Sequence, residues 1–573
     1  MILAVIILVI ATNSFCQTLV TEFEKSRGLE SPAYSYIIDW WKRVDASSSK
    51  VKMLTMGMTD AGFPLHLVVV SSNGDYDFTA IHKKNKRVIL INNGIHPGEP
   101  DGIDASMLLV RDILQKKINL PDNIVLAIIP VYNIGGCLNR SSNYRIDQNG
   151  PVEKGFRGNS QNLDLNRDFI KCDSKDARAF AAIFHLTDPD VLVDNHVSNG
   201  ADYQHVMTLL TTQHNKLGGK MGEYINRQFD PGLRKLMKEK KYDLIPYVNI
   251  EGETPDRGWT AYWDSPRYSS GYAALWNTFA FVPETHMLKP YAQRVDATYA
   301  LMKSFIEFVA ANSSTIHQLR EEAKLAVKTQ SEFPVRWKLD KTKPDSVYFK
   351  GFAAGYKTSN VSGQQRLYYD RNKPYEKNIP FYDHYDADIL VARPKGYIIP
   401  QGWWKVIELL RLNKVEMMPL KKDTTIEVEA YHIDEYKSSA YQYEMHHPNG
   451  NVKISASTMK KTFRKGDLYI GMNQVANRFL VETLEPQAQD SYFSWNFFDA
   501  ILGQKEGYSD YAFEDLASAY LDKNVALREK LDQRRKADSA FAKNGAAQLD
   551  FVFKNSPYYE PSHLQYPVYR VMK

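Results

Sequence analysis

His96 and Glu99 stand three residues apart in Ile89-Leu90-Ile91-Asn92-Asn93-Gly94-Ile95-His96-Pro97-Gly98-Glu99-Pro100. Pro97, Gly98 and Pro100 keep this stretch out of a regular helix. The spacing therefore belongs to a fixed turn that can aim an imidazole and a carboxylate at one point. Such a pair suits Zn²⁺, which takes nitrogen and oxygen ligands at about 2 Å. A pattern this short also describes a polar loop after a strand, so its partners decide. In Asp190-Val191-Leu192-Val193-Asp194-Asn195-His196 a second apolar run ends on a histidine. Ligands collect beyond the carboxyl ends of parallel strands in an α/β sheet. Three protein ligands would leave the fourth zinc position open, the mark of a catalytic and not a structural site.

The elements that must position these residues read as alternating strands and helices. Val88–Ile91 is short, apolar and β-branched, a buried strand closed by Asn92-Asn93-Gly94. Residues 65–71 and 123–132 read as further strands, with a polar hairpin-like insertion between 71 and 88. Residues 34–44, 105–114, 174–186, 217–239 and 291–311 carry helical apolar spacing. Phe279–Pro283 is the strand that delivers Glu284. The fold class is α/β: a mixed, mostly parallel sheet with helices on both faces. Beyond about residue 325, alternating segments at 425–431, 452–458 and 468–472 predict a β-rich accessory region. A helical C-terminal segment over 516–541 follows it.

Two further motifs lie between and after the strand ends: Phe156-Arg157 through Asp164-Leu165-Asn166-Arg167-Asp168, and Val282-Pro283-Glu284-Thr285-His286. The order His-x-x-Glu, Arg with Asp-Leu-Asn-Arg, His, then Glu after an apolar strand resembles the zinc carboxypeptidase family (funnelins). The resemblance spans roughly residues 30–315. It implies one Zn²⁺ ion held by His96, Glu99 and His196, and Glu284 as the general base. Arg157 becomes the cation facing the carbonyl oxygen, with Arg145 in reserve, and Asn166 with Arg167 the clamp on a substrate's terminal carboxylate. It also places a tyrosine over the site, for which Tyr262, Tyr268 and Tyr272 are all candidates, and specificity near Ser269 and Ser270. The implied partner is a peptide or peptide-like substrate with a free carboxylate. Asp164 is expected only to hold its turn, His205 to be structural, His286 to be a lesser candidate for lining the site, and His446-His447 to be exposed in a turn.

At 573 residues the chain exceeds one ordinary core. The expected division is a signal peptide at 1–16, a catalytic domain at 17–320 and an accessory region at 321–573, in one or two parts. The apolar run at 2–11 is too short for the ~20 residues of a membrane-spanning helix but fits a signal-peptide core, with cleavage before Gln17. Secretion or a periplasmic location follows, with no stable membrane span. A net charge of +5, with Lys83–Arg87 a solvated turn, gives no basic tract for nucleic acid. Cys137 and Cys172 could pair in an oxidising compartment, but they make no disulfide framework. Two other functions share these features: an amidohydrolase acting on N-acyl amino acids or cell-wall peptides, and an inactive module that binds peptide or glycan on the same scaffold.

Overall fold

The computed structural model describes residues 19–572, so the expected signal peptide at 1–16 lies outside the described residues. A nine-stranded mixed sheet forms its centre. The strands run in the order Val51–Met58, Pro64–Ser71, Ile124–Ile129, Arg87–Asn92, Val191–Asp194, Phe279–His286, Met207–Thr211 and Ile245–Pro246, with the short His196–Ser198 strand beside Phe279–His286. The inner strands Ile124–Ile129, Arg87–Asn92, Val191–Asp194 and Phe279–His286 are parallel. All six residues of Arg87–Asn92 are buried, as an apolar run covered on both faces requires.

Successive side chains of a strand face opposite sides, and this chain uses both. Val88 and Leu90 pack with Phe180, Ile183 and Tyr272. Ile89 and Ile91 pack with Trp40, Met107, Val110, Val295 and Phe305, from helices Tyr34–Ser47, Asp101–Leu114 and Tyr291–Ala311. Cys172 belongs to the first of these cores and Cys137 to the second; both are free and buried. The sheet separates them, so they do not pair.

Three local readings change. Between residues 71 and 88 the chain forms helix Phe78–Lys83, where hairpin strands were expected; the Asp77 carboxylate caps it by accepting from the Thr79 N–H. Val51–Met58, which is not among the expected strands, is an edge strand paired with Pro64–Ser71. The helix expected at 217–239 is three successive segments, Gly219–Tyr224, the wider turn Ile225–Phe229, and Asp230–Glu239. Pro231 lies at the last junction and brings no N–H to a helical ladder.

The C-terminal half shares the core of the first. Val406, Leu410, Phe479 and Trp495 join the same hydrophobic cluster as Val88 and Phe180, and helix Ser313–Thr329 runs across position 320. Its six-stranded sheet follows the order Met418–Pro419, Leu468–Gly471, Gly396–Ile399, Tyr569–Val571, Thr424–Ser438, Asn449–Phe463. The helical segment, Asp510–Lys523 through Gly545–Lys554, packs on its own small core before the last strand re-enters the sheet. A long hairpin, Asp345–Thr358 with Gln365–Tyr382, pairs with Trp259–Thr260 of the first half. No helix among the described residues is long and apolar enough to cross a membrane.

Candidate metal centre and its cavity

Asn92 and Asp194 are register partners at the ends of adjacent parallel strands, and the Asn92 amide donates to the Asp194 carboxylate at 2.9 Å. One residue on, the Asn195 amide donates to Asn93 Oδ1 at 2.9 Å. These bonds align the two strand ends, so the chains that carry His96 and His196 leave the sheet side by side. The imidazole centroids lie 5.0 Å apart. Between them the Glu99 N–H closes a turn on the His96 carbonyl at 2.8 Å. Gly98 makes this turn possible, because a Cβ there would sit 2.8 Å from both Arg145 Cδ and the Gly155 carbonyl oxygen.

His96, Glu99 and His196 are all buried, and one ligand atom from each lies within 4.8 Å of the others. Nδ1 of His96 is 3.4 Å from Glu99 Oε1, and Nδ1 of His196 is 3.1 Å from Glu99 Oε2. The opposite ring edges are held by carboxylates. Asp164 Oδ1 lies 2.9 Å from His96 Nε2, and Asp194 Oδ2 lies 3.2 Å from His196 Nε2. An imidazole pinned by a carboxylate on one nitrogen presents the other to a metal. Two nitrogens and a carboxylate form a donor set that fits zinc.

The charges follow from this packing. Burial works to raise the Glu99 carboxyl, but Arg145 and His96 hold it well below the usual range. Burial opposes charge on His196, yet Asp194 and Glu99 carry it well above the ordinary imidazole value. Burial also pushes up the Glu284 carboxyl, with the nearby Glu99 charge adding to it.

Glu284 and His196 are register partners on neighbouring parallel strands. Glu284, His96, Glu99, His196, Arg157, Arg145, Asn166 and Arg167 line one cavity of about 310 Å³. Arg157 is 47% exposed and reaches Asp164 at 2.9 Å. Arg145 is 20% exposed and donates to Glu99 at 2.7 Å. Asn166 and Arg167 sit on a single 3-10 turn, Leu165–Arg167, capped by the Asp164 carboxylate accepting from the Asn166 N–H. Tyr262, Tyr268, Ser269 and Ser270 line the cavity. Tyr272 does not: its hydroxyl donates to Asn413 in the core.

Other expectations divide in the same way. His205 is structural, accepting from the Lys350 N–H. His286 is buried, 2.8 Å from the Ala201 carbonyl oxygen through Nε2, and stays outside the cavity lining. His446 is not an exposed imidazole, because Nε2 meets Asp173 at 2.9 Å; the exposed one is His447. Asp164 does cap its turn, as expected, but it also holds His96 and Arg157. The Asp194-Asn195-His196 spacing carried a readable signal, since residues two apart on a strand share a face. Tyr247 and Asp264, which also line the cavity, gave none.

The family model described as zinc carboxypeptidase matches residues 37–192. A search of curated proteins finds no match. Similar solved structures include a metallo-carboxypeptidase from Burkholderia cenocepacia, at 15% identity over 47% of this chain and 68% of that one, with a TM-score of 0.35. A Pseudomonas aeruginosa metallo-carboxypeptidase is similar at 12% identity over 48% and 68%, also at 0.35. Carboxypeptidase A from Helicoverpa armigera is similar at 14% identity over 50% and 74%, again at 0.35. The family match is confined to residues 37–192, and over that stretch the chain is similar to the zinc carboxypeptidase family.

Proposed function

We propose that this chain is a secreted zinc-dependent metallocarboxypeptidase that hydrolyses the C-terminal amide bond of peptides. The observation that carries this reading is the convergence of the His96–Glu99–His196 donor set, Glu284 and the Asn166–Arg167 turn on one cavity. Zinc, when bound there, lowers the pKa of water towards neutrality and polarises the scissile carbonyl. The chain's own side chains do the rest. Glu284 takes the proton from the attacking water and delivers it to the leaving amine nitrogen, work that a carboxylate with a raised pKa does well near neutral pH. Arg157 faces the charge that builds on the carbonyl oxygen. Arg167, with Asn166, grips the terminal carboxylate, for which a guanidinium fork is shaped. A clamp of this kind beside the scissile bond restricts cleavage to the last residue. Secretion rests on the apolar run at 2–11.

The test is release of amino acids from a mixed peptide pool, with wild type, Glu284→Gln and a chelator-treated sample side by side. Residue-by-residue trimming by wild type alone supports the reading. Bound zinc without trimming by wild type rejects the peptide substrate, and hydrolysis of N-acyl amino acids or cell-wall peptides instead identifies an amidohydrolase. Zinc binding with retention of peptides and no hydrolysis of any of them identifies a binding module.

A further inference from the structure

The turn Tyr443-Glu444-Met445-His446 joins the strands Thr424–Ser438 and Asn449–Phe463 of the C-terminal half, yet its Tyr443, Glu444 and His446 side chains bond the N-terminal half. The Arg167 Nε donates to the Tyr443 hydroxyl at 2.8 Å. The Glu444 carboxylate accepts from the Asp164 backbone N–H at 2.9 Å. His446 meets Asp173 at 2.9 Å. Glu444 and Met445 both adopt left-handed backbone, with φ of +48° and +69°, a conformation that side chains other than glycine resist. Reciprocal bonds between Tyr443 and His446 close the turn, and Trp495 stacks against the Tyr443 ring with centroids 6.1 Å apart. A strained turn held this firmly against one arginine and the backbone of one aspartate points to a positioning role.

We infer that Tyr443 is a positioning residue for substrate binding: the C-terminal half reaches an arginine of the cavity lining and fixes its guanidinium to receive a terminal carboxylate. Arg167 is otherwise held by the Asn166 carbonyl at 2.8 Å, by the Asp164 carboxylate at 3.8 Å and by the Tyr268 ring, 4.8 Å below the guanidinium carbon. The Tyr443 hydroxyl adds a restraint on the Nε edge, from 276 residues away. An arginine side chain has many rotamers, and pre-setting its fork lowers the entropy lost when a carboxylate binds. This inference rests on Arg167 being the carboxylate clamp.

The experiment measures kcat and KM of the full chain on a peptide that wild type trims, with Tyr443→Phe, Arg167→Ala, the double variant and Glu444→Ala, each with its melting temperature. Inhibition by the released amino acid and by its amide is measured alongside. Tyr443→Phe should raise KM about tenfold and leave kcat within about threefold, the size expected for one hydrogen bond to a charged group. It should weaken inhibition by the amino acid and leave that by the amide unchanged. In the Arg167→Ala background it should add nothing. Glu444→Ala should shift KM in the same direction, and it decides the matter if Tyr443→Phe does not fold. A fall in kcat or in melting temperature with KM unchanged, or effects of Tyr443→Phe and Arg167→Ala that simply multiply, overturns the positioning role while leaving the clamp intact. An Arg167→Ala enzyme with wild-type KM overturns the clamp and the inference together.

Discussion

Asp164 Oδ1 stands 2.9 Å from His96 Nε2, on the ring edge opposite the one that faces Glu99. One aspartate thus caps the Asn166–Arg167 turn and fixes the orientation of a candidate zinc ligand. Asp194 does the same for His196. Replacing either carboxylate frees the imidazole to rotate and lowers its basicity. Asp164→Asn and Asp194→Asn should each weaken zinc affinity by roughly 10- to 100-fold. Competition with a chromophoric chelator reads this directly, and wild-type affinity in both variants would remove the carboxylates from the metal site.

Two arginines border the same cavity, and their surroundings give them different work. Arg145 is committed to the buried Glu99 and to the Val197 carbonyl. Arg157 is the more exposed and bonds Asp164. Arg157→Ala should therefore lower kcat by about 100- to 1,000-fold, the usual loss when one donor to a developing oxyanion is removed. Arg145→Ala should cost kcat roughly an order of magnitude less. Steady-state kinetics on the two variants check the assignment, and the reverse ranking makes Arg145 the cation that faces the carbonyl oxygen.

How far the site could be read from sequence depended on where each contact came from. His96 and His196 were legible because parallel strands buried on both faces are nearly continuous apolar runs, and the residue types beyond their ends stand out. Arg157, Asn166 and Arg167 became legible through the order of motifs. Tyr272 remained a candidate beside Tyr262 and Tyr268 because spacing alone does not show which side of the Ser269–Ala274 helix meets the core. The contact between Tyr443 and Arg167 had no local signal at all, since it joins segments 276 residues apart. His446 was misread for the same reason: a histidine beside Pro448-Asn449-Gly450 looks like a solvated turn until Asp173 is brought to it.

Beneath the site lies an ion pair that no motif announced. Arg294 and Asp101, both buried, meet at 3.0 Å, and the Thr285 hydroxyl donates to the same Asp101 carboxylate. Arg294 also donates to the carbonyls of Asn149, Lys289 and Gly150, tying the loop after Glu284 to the long loop before Arg157. Removing one partner leaves an uncompensated buried charge. Arg294→Met should destabilise the fold by about 3–5 kcal/mol, and Asp101→Asn added to it should restore part of that loss. Denaturant midpoints of the single and double variants check both signs; a double variant less stable than Arg294→Met means that Asp101 serves mainly its neighbour Thr285.

Asp104 provides the pH dependence of stability that is clearest to isolate. It is fully buried, accepts from the Tyr291 hydroxyl, and is pushed by burial from an ordinary 3.8 up to about 7. Between these two values the folded protein keeps a proton that the unfolded chain has released. The group's contribution is therefore fully present below about pH 4 and is lost as pH rises to about 7. A tenfold difference in proton affinity between the folded and unfolded chain corresponds to about 1.4 kcal/mol, so the loss is a few kcal/mol at most. Asp104→Asn keeps an acceptor for Tyr291 and has no proton to lose. The variant should match wild type at pH 4 and melt higher than wild type at pH 8, with the gap opening between those values. Parallel melting curves across that range decide it: a gap that does not change with pH means that Asp104 is already ionised in the fold and is held by its neighbours as a carboxylate.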